Sequence, residues 1–387
     1  MPAMHKNSIL HECFMYALWR TGIRLMKNIL KNESFLKYRW VRVFVGAAIF
    51  FGVCILTLAA FDIGLHFTRY RYIIFTSPNG YFISNPDNSA GIAPDFPVSR
   101  MTSFDVSYDI WSNSLGCFDN PFNAKTDAPY LYLLGDSFVW GYAPFQDKWG
   151  TQIETRLGTR VLKCGQIHTG TAQEFNMLEE GLTKLPSPEM ILVQYYENDP
   201  IDDYFYMHRL PHQDICVRNS LKGDKLPCWL FRNWFYHNSI LYYLAIGALE
   251  EVLPHDVPQY IFQQNLENLQ KFPALAKAHH SQLLIVLMPS KETVQENGPD
   301  PYETVRRALD EHGIHYLDLT QPFKEFYAAT KAHLYWDHDD HINILGNKLA
   351  GLLVSQDILE SKYIYVPDGK AKLTAVRQEI MTLEKMQ

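Results

Sequence analysis

Residues 130–141 read YLYLLGDSFVWG, and this stretch decides the fold. An apolar run from Tyr130 to Leu134 stops at Gly135-Asp136-Ser137, and a second apolar run follows. A short, nearly continuous apolar run is typical of a strand that is buried on both faces. Because glycine permits a tight turn, the stretch predicts a strand that turns directly into a helix. Ser137 at that turn is either a helix cap or a nucleophile held at the end of the strand.

Four further apolar runs of strand length follow along the chain. Segments of helical character lie between them, so strands and helices alternate. Such alternation is typical of parallel strands joined by right-handed crossovers. The sequence therefore predicts a three-layer α/β/α sandwich around a mostly parallel five-stranded sheet. The further strands are predicted at 160–164, 190–196, 282–288 and 314–319, and the helices at 145–157, 172–185, 259–279, 302–312 and 346–353.

Residues 43–61 carry no charge. A helix of this length spans roughly 28 Å, close to the thickness of the hydrocarbon layer of a bilayer. We therefore expect one transmembrane helix, with a cleaved signal peptide and a buried core helix as alternatives. Several basic residues precede the stretch, whereas only Arg69 and Arg71 follow it closely. The positive-inside rule then places the basic segment 1–42 in the cytoplasm and the main domain outside it, in a periplasmic or other extracytoplasmic space.

Composition divides the rest of the chain. Residues 62–125 predict a loop-rich approach segment, and residues 126–360 contain the alternating pattern, interrupted by an aromatic-rich insert at about 200–258. Residues 361–387 form a C-terminal tail. Cys216 and Cys228 flank a polar segment of the insert, where they form either a local disulfide or two unpaired thiols.

The overall charge and the cysteine spacing exclude some classes of function. The formal net charge of −7 gives no basic balance, which argues against a nucleic-acid partner. The chain has no C-x-x-C pair, so we do not expect a structural zinc site built on one.

Three predicted strand ends carry polar residues suited to catalysis. In an open parallel sheet, ligands bind beyond the carboxyl ends of the strands. Ser137 lies at the first end, where its backbone N–H could stabilise an oxyanion, and Asn198 follows the third strand and could donate to the same oxyanion. The third end is the stretch WDHDDHINILG at 336–346, where His341 supplies a base near neutral pH and Asp339 can orient it. A metal site and a solvated acidic loop are the alternatives for this stretch.

These motifs together resemble the SGNH, or GDSL-type, hydrolases. The resemblance rests on GDSF at 135–138, on Asn198 in a Y-x-N-D strand end, and on D-D-H-I-N-x-x-G at 339–346. It covers roughly residues 105–355 and includes Asn113-Ser114-Leu115-Gly116, a segment common in membrane-anchored bacterial members. The resemblance implies a flavodoxin-like sheet, with Ser137 as nucleophile, His341 as general base and Asp339 as its partner. Asp337 is the fallback for that partner.

One motif departs from the family pattern. After the second strand the family usually has a glycine whose N–H serves the oxyanion, and here His168 stands at that position, within GQIHTGT at 165–171. The resemblance implies an oxyanion or substrate-binding set of Asn198, His168, Gly170 and Asp136. Whether His168 keeps the required conformation and leaves room for substrate is open at this point.

The resemblance also implies an activity. We expect a membrane-anchored serine esterase that hydrolyses O-acyl esters, above all O-acetyl esters on cell-envelope glycans, through an acyl-enzyme and without a cofactor or metal. The expected partners are an acylated carbohydrate or another ester, and the membrane. The same residues could instead transfer the acyl group to a polysaccharide hydroxyl, or the fold could serve as a non-catalytic glycan-binding or assembly protein.

Overall fold

The chain consists of two compact units, Met1–Arg71 with Ser239–Leu241, and Tyr72–Asn238 with Tyr242–Gln387. Part of the predicted cytoplasmic segment, most of the aromatic-rich insert and the Cys216–Cys228 pair lie outside the described residues, so those expectations stay predictions. The computed structural model describes residues 39–68, 70, 77–85, 89–103, 105–207, 238–251 and 259–386.

The first unit contains a long apolar helix, α1 (Arg39–Leu65). Its stretch Val43–Leu65 has a mean hydropathy of 2.5, and none of it is buried within the structure. By length and composition this is one helix that could cross a membrane. It extends four residues beyond the predicted end at Phe61 because Asp62 does not interrupt the helical backbone.

The approach segment is more regular than its composition predicts. It holds two antiparallel hairpins, one of β1 (Phe82–Ser84) with β2 (Ala90–Ile92) and one of β3 (Ser99–Ser103) with β4 (Val106–Ile110). Both pack around a separate aromatic core that includes Trp140 from the main domain. These strands are only three to five residues long, which explains why polar turn residues dominate the composition.

The five predicted strands form one parallel sheet in the second unit, and the predicted sandwich is confirmed. The strands are β5 (Tyr130–Gly135), β6 (Arg160–Gly165), β7 (Met190–Tyr195), β8 (Gln282–Leu287) and β9 (Tyr316–Asp318). Their order in the sheet is β6-β5-β7-β8-β9, which is the flavodoxin-like order 2-1-3-4-5. In β5, Leu131 and Leu133 pack into the core on one face, while Tyr132 and Leu134 pack on the other.

Helices cover both faces of this sheet. The helices are α2 (Ser137–Trp140), α3 (Trp149–Leu157), α4 (Thr171–Lys184), α5 (Asp199–Met207), α6 (Ile240–Glu251), α7 (Gln259–Leu269), α8 (Phe272–Ala278), α9 (Lys291–Gln295), α10 (Glu303–Glu311), α11 (Thr320–Thr330), α12 (Ile344–Ser361) and α13 (Gly369–Met386). Side chains of α3, α11, α12 and α13 pack on one face of the sheet, and those of α4, α7, α8 and α10 pack on the other.

The predicted helix 346–353 is longer in the structure, as α12 ends at Ser361, and two other predicted helices are divided. The segment 259–279 forms two helices, α7 and α8, with Pro273 in the first turn of α8. Proline lacks an N–H and suits the first turn of a helix, so it marks a new start rather than a continuation. The segment 145–157 begins as a 3₁₀ turn, Phe145–Asp147, before α3 begins at Trp149.

A disulfide joins Cys117 of the approach segment to Cys164 near the end of β6. Both residues are buried, and they belong to the core on one face of the sheet. The bond attaches the approach segment covalently to the edge strand of the sheet. Neither cysteine belongs to the pair considered from the sequence.

Candidate active site

Gly135 makes the turn that places Ser137 at the carboxyl edge of the sheet. Its φ is 155°, in a region that side chains rarely adopt. A Cβ atom here would lie 2.5 Å from Gln194 Oε1 and 2.6 Å from Val139 Cγ2. The close approach lets Gln194 Oε1 accept the Asp136 N–H at 3.1 Å. Glycine is therefore required by both the backbone and the packing.

Ser137 is the first residue of the short helix α2 and its side chain is largely buried. Asp136 caps this helix, since its Oδ1 accepts the N–H of Phe138 at 2.8 Å. The N–H groups in the first turn of a helix have no intrahelical acceptor. The N–H of Ser137 is therefore available to an oxygen bound at the strand end.

A chain of two hydrogen bonds links Ser137 to His341 and Asp339. The distance from His341 Nε2 to Ser137 Oγ is 2.8 Å, and that from His341 Nδ1 to Asp339 Oδ1 is 2.6 Å. The rings of Tyr142 and Phe138 lie 4.1 and 4.8 Å from the imidazole, centroid to centroid, which restricts its orientation. The structure thus brings together three residues that are up to 204 positions apart in sequence.

Asn198 follows β7 at the same edge of the sheet. Its Nδ2 donates to Asp202 Oδ2 at 3.1 Å. An amide nitrogen carries two hydrogens, so this bond occupies one of them. Its Oδ1 is buried and has no hydrogen-bond partner among the described residues.

His168 has a left-handed backbone. Its φ is 64°, in the region that favours glycine, and its side chain is exposed. The histidine therefore takes a backbone conformation that is available to glycine without strain. A non-glycine residue in this region is strained by roughly 1–2 kcal/mol.

Comparisons with known proteins give structural neighbours only, since no family model and no curated protein matches the sequence. A G-D-S-L family lipolytic-type protein from Desulfitobacterium hafniense is 15% identical, with a TM-score of 0.34 over 59% of this chain and 98% of that chain. A G-D-S-L family member from Veillonella parvula is 12% identical, with a TM-score of 0.36 over 58% and 95%. A protein assigned to the SGNH hydrolases from Slackia heliotrinireducens is 13% identical, with a TM-score of 0.35 over 59% and 98%.

The five-stranded parallel sheet with helices on both faces resembles the SGNH hydrolases in fold. The membrane-anchored type within that family stays a prediction.

Two residues of the predicted substrate-binding set are buried in the structure. Asp136 lies behind Ser137, where it caps α2. At Gly170, a Cβ would meet the backbone of Asp199 and the carboxylate of Asp203. Both residues support the turn and the packing, and their contacts with substrate stay predictions.

His341 and Asp339 shift each other's pKa. Burial lowers the pKa of His341, but the charge and hydrogen bond of Asp339, with the charges of Asp136 and Asp340, outweigh it and raise that pKa above the ordinary 6.5. Burial likewise raises the pKa of Asp339, but the His341 charge and hydrogen bonds outweigh burial and lower it. The pair therefore favours imidazolium next to carboxylate, the state that forms when His341 accepts a proton.

Asp337, the fallback partner, lies elsewhere. Its carboxylate is 3.6 Å from His333 Nδ1, and its side chain is 73% exposed. The described ranges contain no group of three His, Cys, Asp or Glu residues that could hold a metal ion.

A group of buried carboxyl groups behind Ser137 was not predicted. Asp199 is fully buried, and neither of its carboxyl oxygens has a hydrogen-bond partner among the described residues. Burial, and then the charges of Glu174 and Asp136, raise the pKa of Asp199 well above its ordinary value. Burial also raises the pKa of Asp136 to about 6. Burial therefore shifts both carboxyl groups toward their protonated forms relative to an exposed aspartate.

Lys291 and Asp105 also contact the stretch that carries Asp339 and His341. Lys291 follows β8, and its place after a predicted strand is the sequence signal that could have identified it. Asp105 is 233 positions from its contact at His338 and has no sequence signal.

Proposed function

We propose that the protein is a serine ester hydrolase of the SGNH type. The observation that carries the proposal is the continuous chain from Asp339 through His341 to Ser137, with distances of 2.6 and 2.8 Å. His341 Nε2 accepts the Ser137 hydroxyl proton while Ser137 Oγ attacks the ester carbonyl. The proton then passes to the departing alkoxide, and water attacks the resulting acyl-enzyme by the same route.

The oxyanion is held by hydrogen-bond donors at the strand ends. The candidates are the backbone N–H groups of Ser137 and His168 and the second hydrogen of Asn198 Nδ2. The left-handed backbone of His168 and the single occupied hydrogen of Asn198 support these roles. Such donors stabilise charge that develops only as the tetrahedral intermediate forms.

The substrate is an O-acyl ester, and we propose O-acetyl groups on cell-envelope glycans. The apolar helix α1 supports attachment to a membrane, and the basic residues before it support a cytoplasmic N-terminus. The Cys117–Cys164 disulfide supports an oxidising compartment for the second unit. An exterior domain fits a substrate in the cell envelope, and the glycan itself rests on the family resemblance.

A fluorophosphonate probe tests the nucleophile directly. Intact protein should react stoichiometrically, and peptide mapping by mass spectrometry should find the adduct on Ser137. The same protein should hydrolyse 4-nitrophenyl acetate. Folded protein that neither takes up the probe nor releases nitrophenol would refute the proposal, as would an adduct on a different serine.

The pH dependence of hydrolysis should reflect the raised pKa of His341. The general base must be neutral, so kcat/KM should increase with pH as His341 loses its proton. Because the pKa is raised, the midpoint of this increase should lie above 6.5, the ordinary value for histidine. A kcat/KM profile with its midpoint below 6.5 would contradict the assignment of His341 and Asp339.

A further inference from the structure

The residues Trp336–His341 form a short loop, the catalytic loop, that carries both Asp339 and His341. An antiparallel bridge between Tyr335 and Ile342 closes its base. Inside that bridge, the Trp336 N–H donates to the His341 carbonyl at 3.1 Å. The base is therefore fixed by the backbone, whereas the tip needs other contacts to hold its shape.

Lys291 holds the catalytic loop from one side. It is the first residue of α9, directly beyond the end of β8. Its Nζ donates to the carbonyls of Trp336, Asp337 and Asp339 at 2.7, 3.2 and 3.3 Å. An ammonium group has three hydrogens, so these three carbonyls satisfy it. Such contacts turn the carbonyls toward one point and define the path of the backbone.

Asp105 holds the same loop through a different element. It lies in the turn between β3 and β4, and its side chain is 13% exposed. Its Oδ2 accepts the His338 N–H at 2.9 Å, and its Oδ1 lies 2.5 Å from His338 Nδ1. The approach segment thus supplies a carboxylate to the catalytic loop next to the position of Asp339.

Asp339 connects these contacts to the chemistry. Its carbonyl accepts from Lys291, while its Oδ1 accepts the backbone N–H of His341 at 3.1 Å and contacts His341 Nδ1 at 2.6 Å. Any shift of the backbone at residue 339 therefore changes the distance from the carboxylate to the imidazole. We propose that Lys291 and Asp105 are positioning residues that hold Asp339 against His341. This inference rests on the proposed hydrolase function.

The direction in which the pKa of His341 changes distinguishes a positioning role of Lys291 from a simple effect of its charge. The carboxylates that raise the pKa of His341 are Asp339, Asp136 and Asp340. A nearby cation opposes protonation of an imidazole, so removal of the Lys291 charge alone would raise the pKa of His341. Loosening of the Asp339 contact would instead lower it. Positioning therefore predicts a decrease in that pKa when Lys291 is neutralised.

The experiment uses Lys291→Met in the full-length protein, with Lys271→Met at an exposed position as the matched control. We expect kcat for 4-nitrophenyl acetate to decrease about 10- to 100-fold, the effect of a small misplacement of a catalytic group. KM should stay nearly constant, because the three hydrogens of Lys291 Nζ are taken up by backbone carbonyls of the catalytic loop. An NMR titration should find the His341 pKa lowered. An unchanged or raised pKa in the folded variant would overturn the proposal.

Asp105→Asn tests the contact between Asp105 and His338. It also tests the proposal if Lys291→Met does not fold. We expect a decrease in kcat of about 3- to 10-fold, equivalent to one hydrogen bond. Because the loss of a nearby carboxylate charge by itself lowers the pKa of an imidazole, kcat is the deciding measurement for this variant, and Asp105→Glu, which keeps the charge but moves the carboxylate, should lower kcat as well. The control is Asp109→Asn in the same hairpin, where the carboxylate is exposed and pairs with Arg100. Equal kcat for Asp105→Asn and Asp109→Asn would overturn the role of Asp105. The titration of Lys291→Met needs no substrate, so it tests the positioning even if the wild-type protein hydrolyses no ester.

Discussion

Replacement of Ser137 with alanine is expected to lower kcat for ester hydrolysis by about 10⁴- to 10⁶-fold. The Ser137 hydroxyl is the group that His341 Nε2 contacts at 2.8 Å, and alanine leaves nothing to form the acyl-enzyme. The backbone N–H at position 137 remains, so some stabilisation of the oxyanion persists without the covalent step. Steady-state kinetics with 4-nitrophenyl acetate, and labelling by the fluorophosphonate probe, measure both consequences.

A suitable control is Ser361→Ala, at the exposed last residue of α12. This variant should react with the probe and hydrolyse the ester like the wild-type protein. Thermal unfolding should be similar for the two variants, because alanine suits the first turn of α2. If the Ser137 variant keeps more than a tenth of the wild-type kcat, the nucleophile is a different residue.

Asp339→Asn is expected to lower kcat by about 10³- to 10⁴-fold. The carboxylate accepts the proton on His341 Nδ1 and keeps Nε2 free to take the proton of Ser137. An amide can donate to Nδ1 instead, which favours the tautomer with its proton on Nε2. That tautomer cannot act as a base toward Ser137. The substitution should also lower the pKa of His341, because the Asp339 charge is lost.

The structure supplies a matched control two residues away. Asp337 is exposed and lies near His333 instead of His341, so Asp337→Asn should keep nearly the full kcat and the wild-type pH profile. If instead Asp337→Asn were the more damaging of the two variants, the fallback partner considered from the sequence would be the correct one.

The sheet was open to prediction because its signals are local. Continuous apolar runs mark strands that are buried on both faces, and the turn at Gly135 follows from the residue itself. The rule that parallel strands present their carboxyl ends at one edge places Ser137 and Asn198 at that edge. His341 does not follow a strand of the sheet, contrary to the prediction, because it lies in the loop between α11 and α12. Its 2.8 Å contact with Ser137 was therefore predictable from the motif resemblance and not from strand order.

The contacts that support the site were not predictable in the same way. Lys291 binds backbone carbonyls, which every residue has, so no pattern of side chains identifies its partners. The pairing of Cys117 with Cys164 joins segments that have no shared periodicity. Likewise, the left-handed backbone of His168 contradicts the intrinsic preference of its side chain, and only the surrounding structure imposes it.

The edge strands of the sheet also determine whether two copies of the protein can pair through their backbones. An open strand edge can pair with another chain and start aggregation. At the β6 edge, the Lys163 N–H donates to Asp119 Oδ2 at 3.0 Å, and that carboxylate also pairs with Arg160 at 2.8 Å. The neighbouring Cys117–Cys164 bond holds this cover in place. At the opposite edge, β9 has only three residues. Neither edge therefore offers a long row of free backbone groups, which protects the sheet against extension by a second molecule.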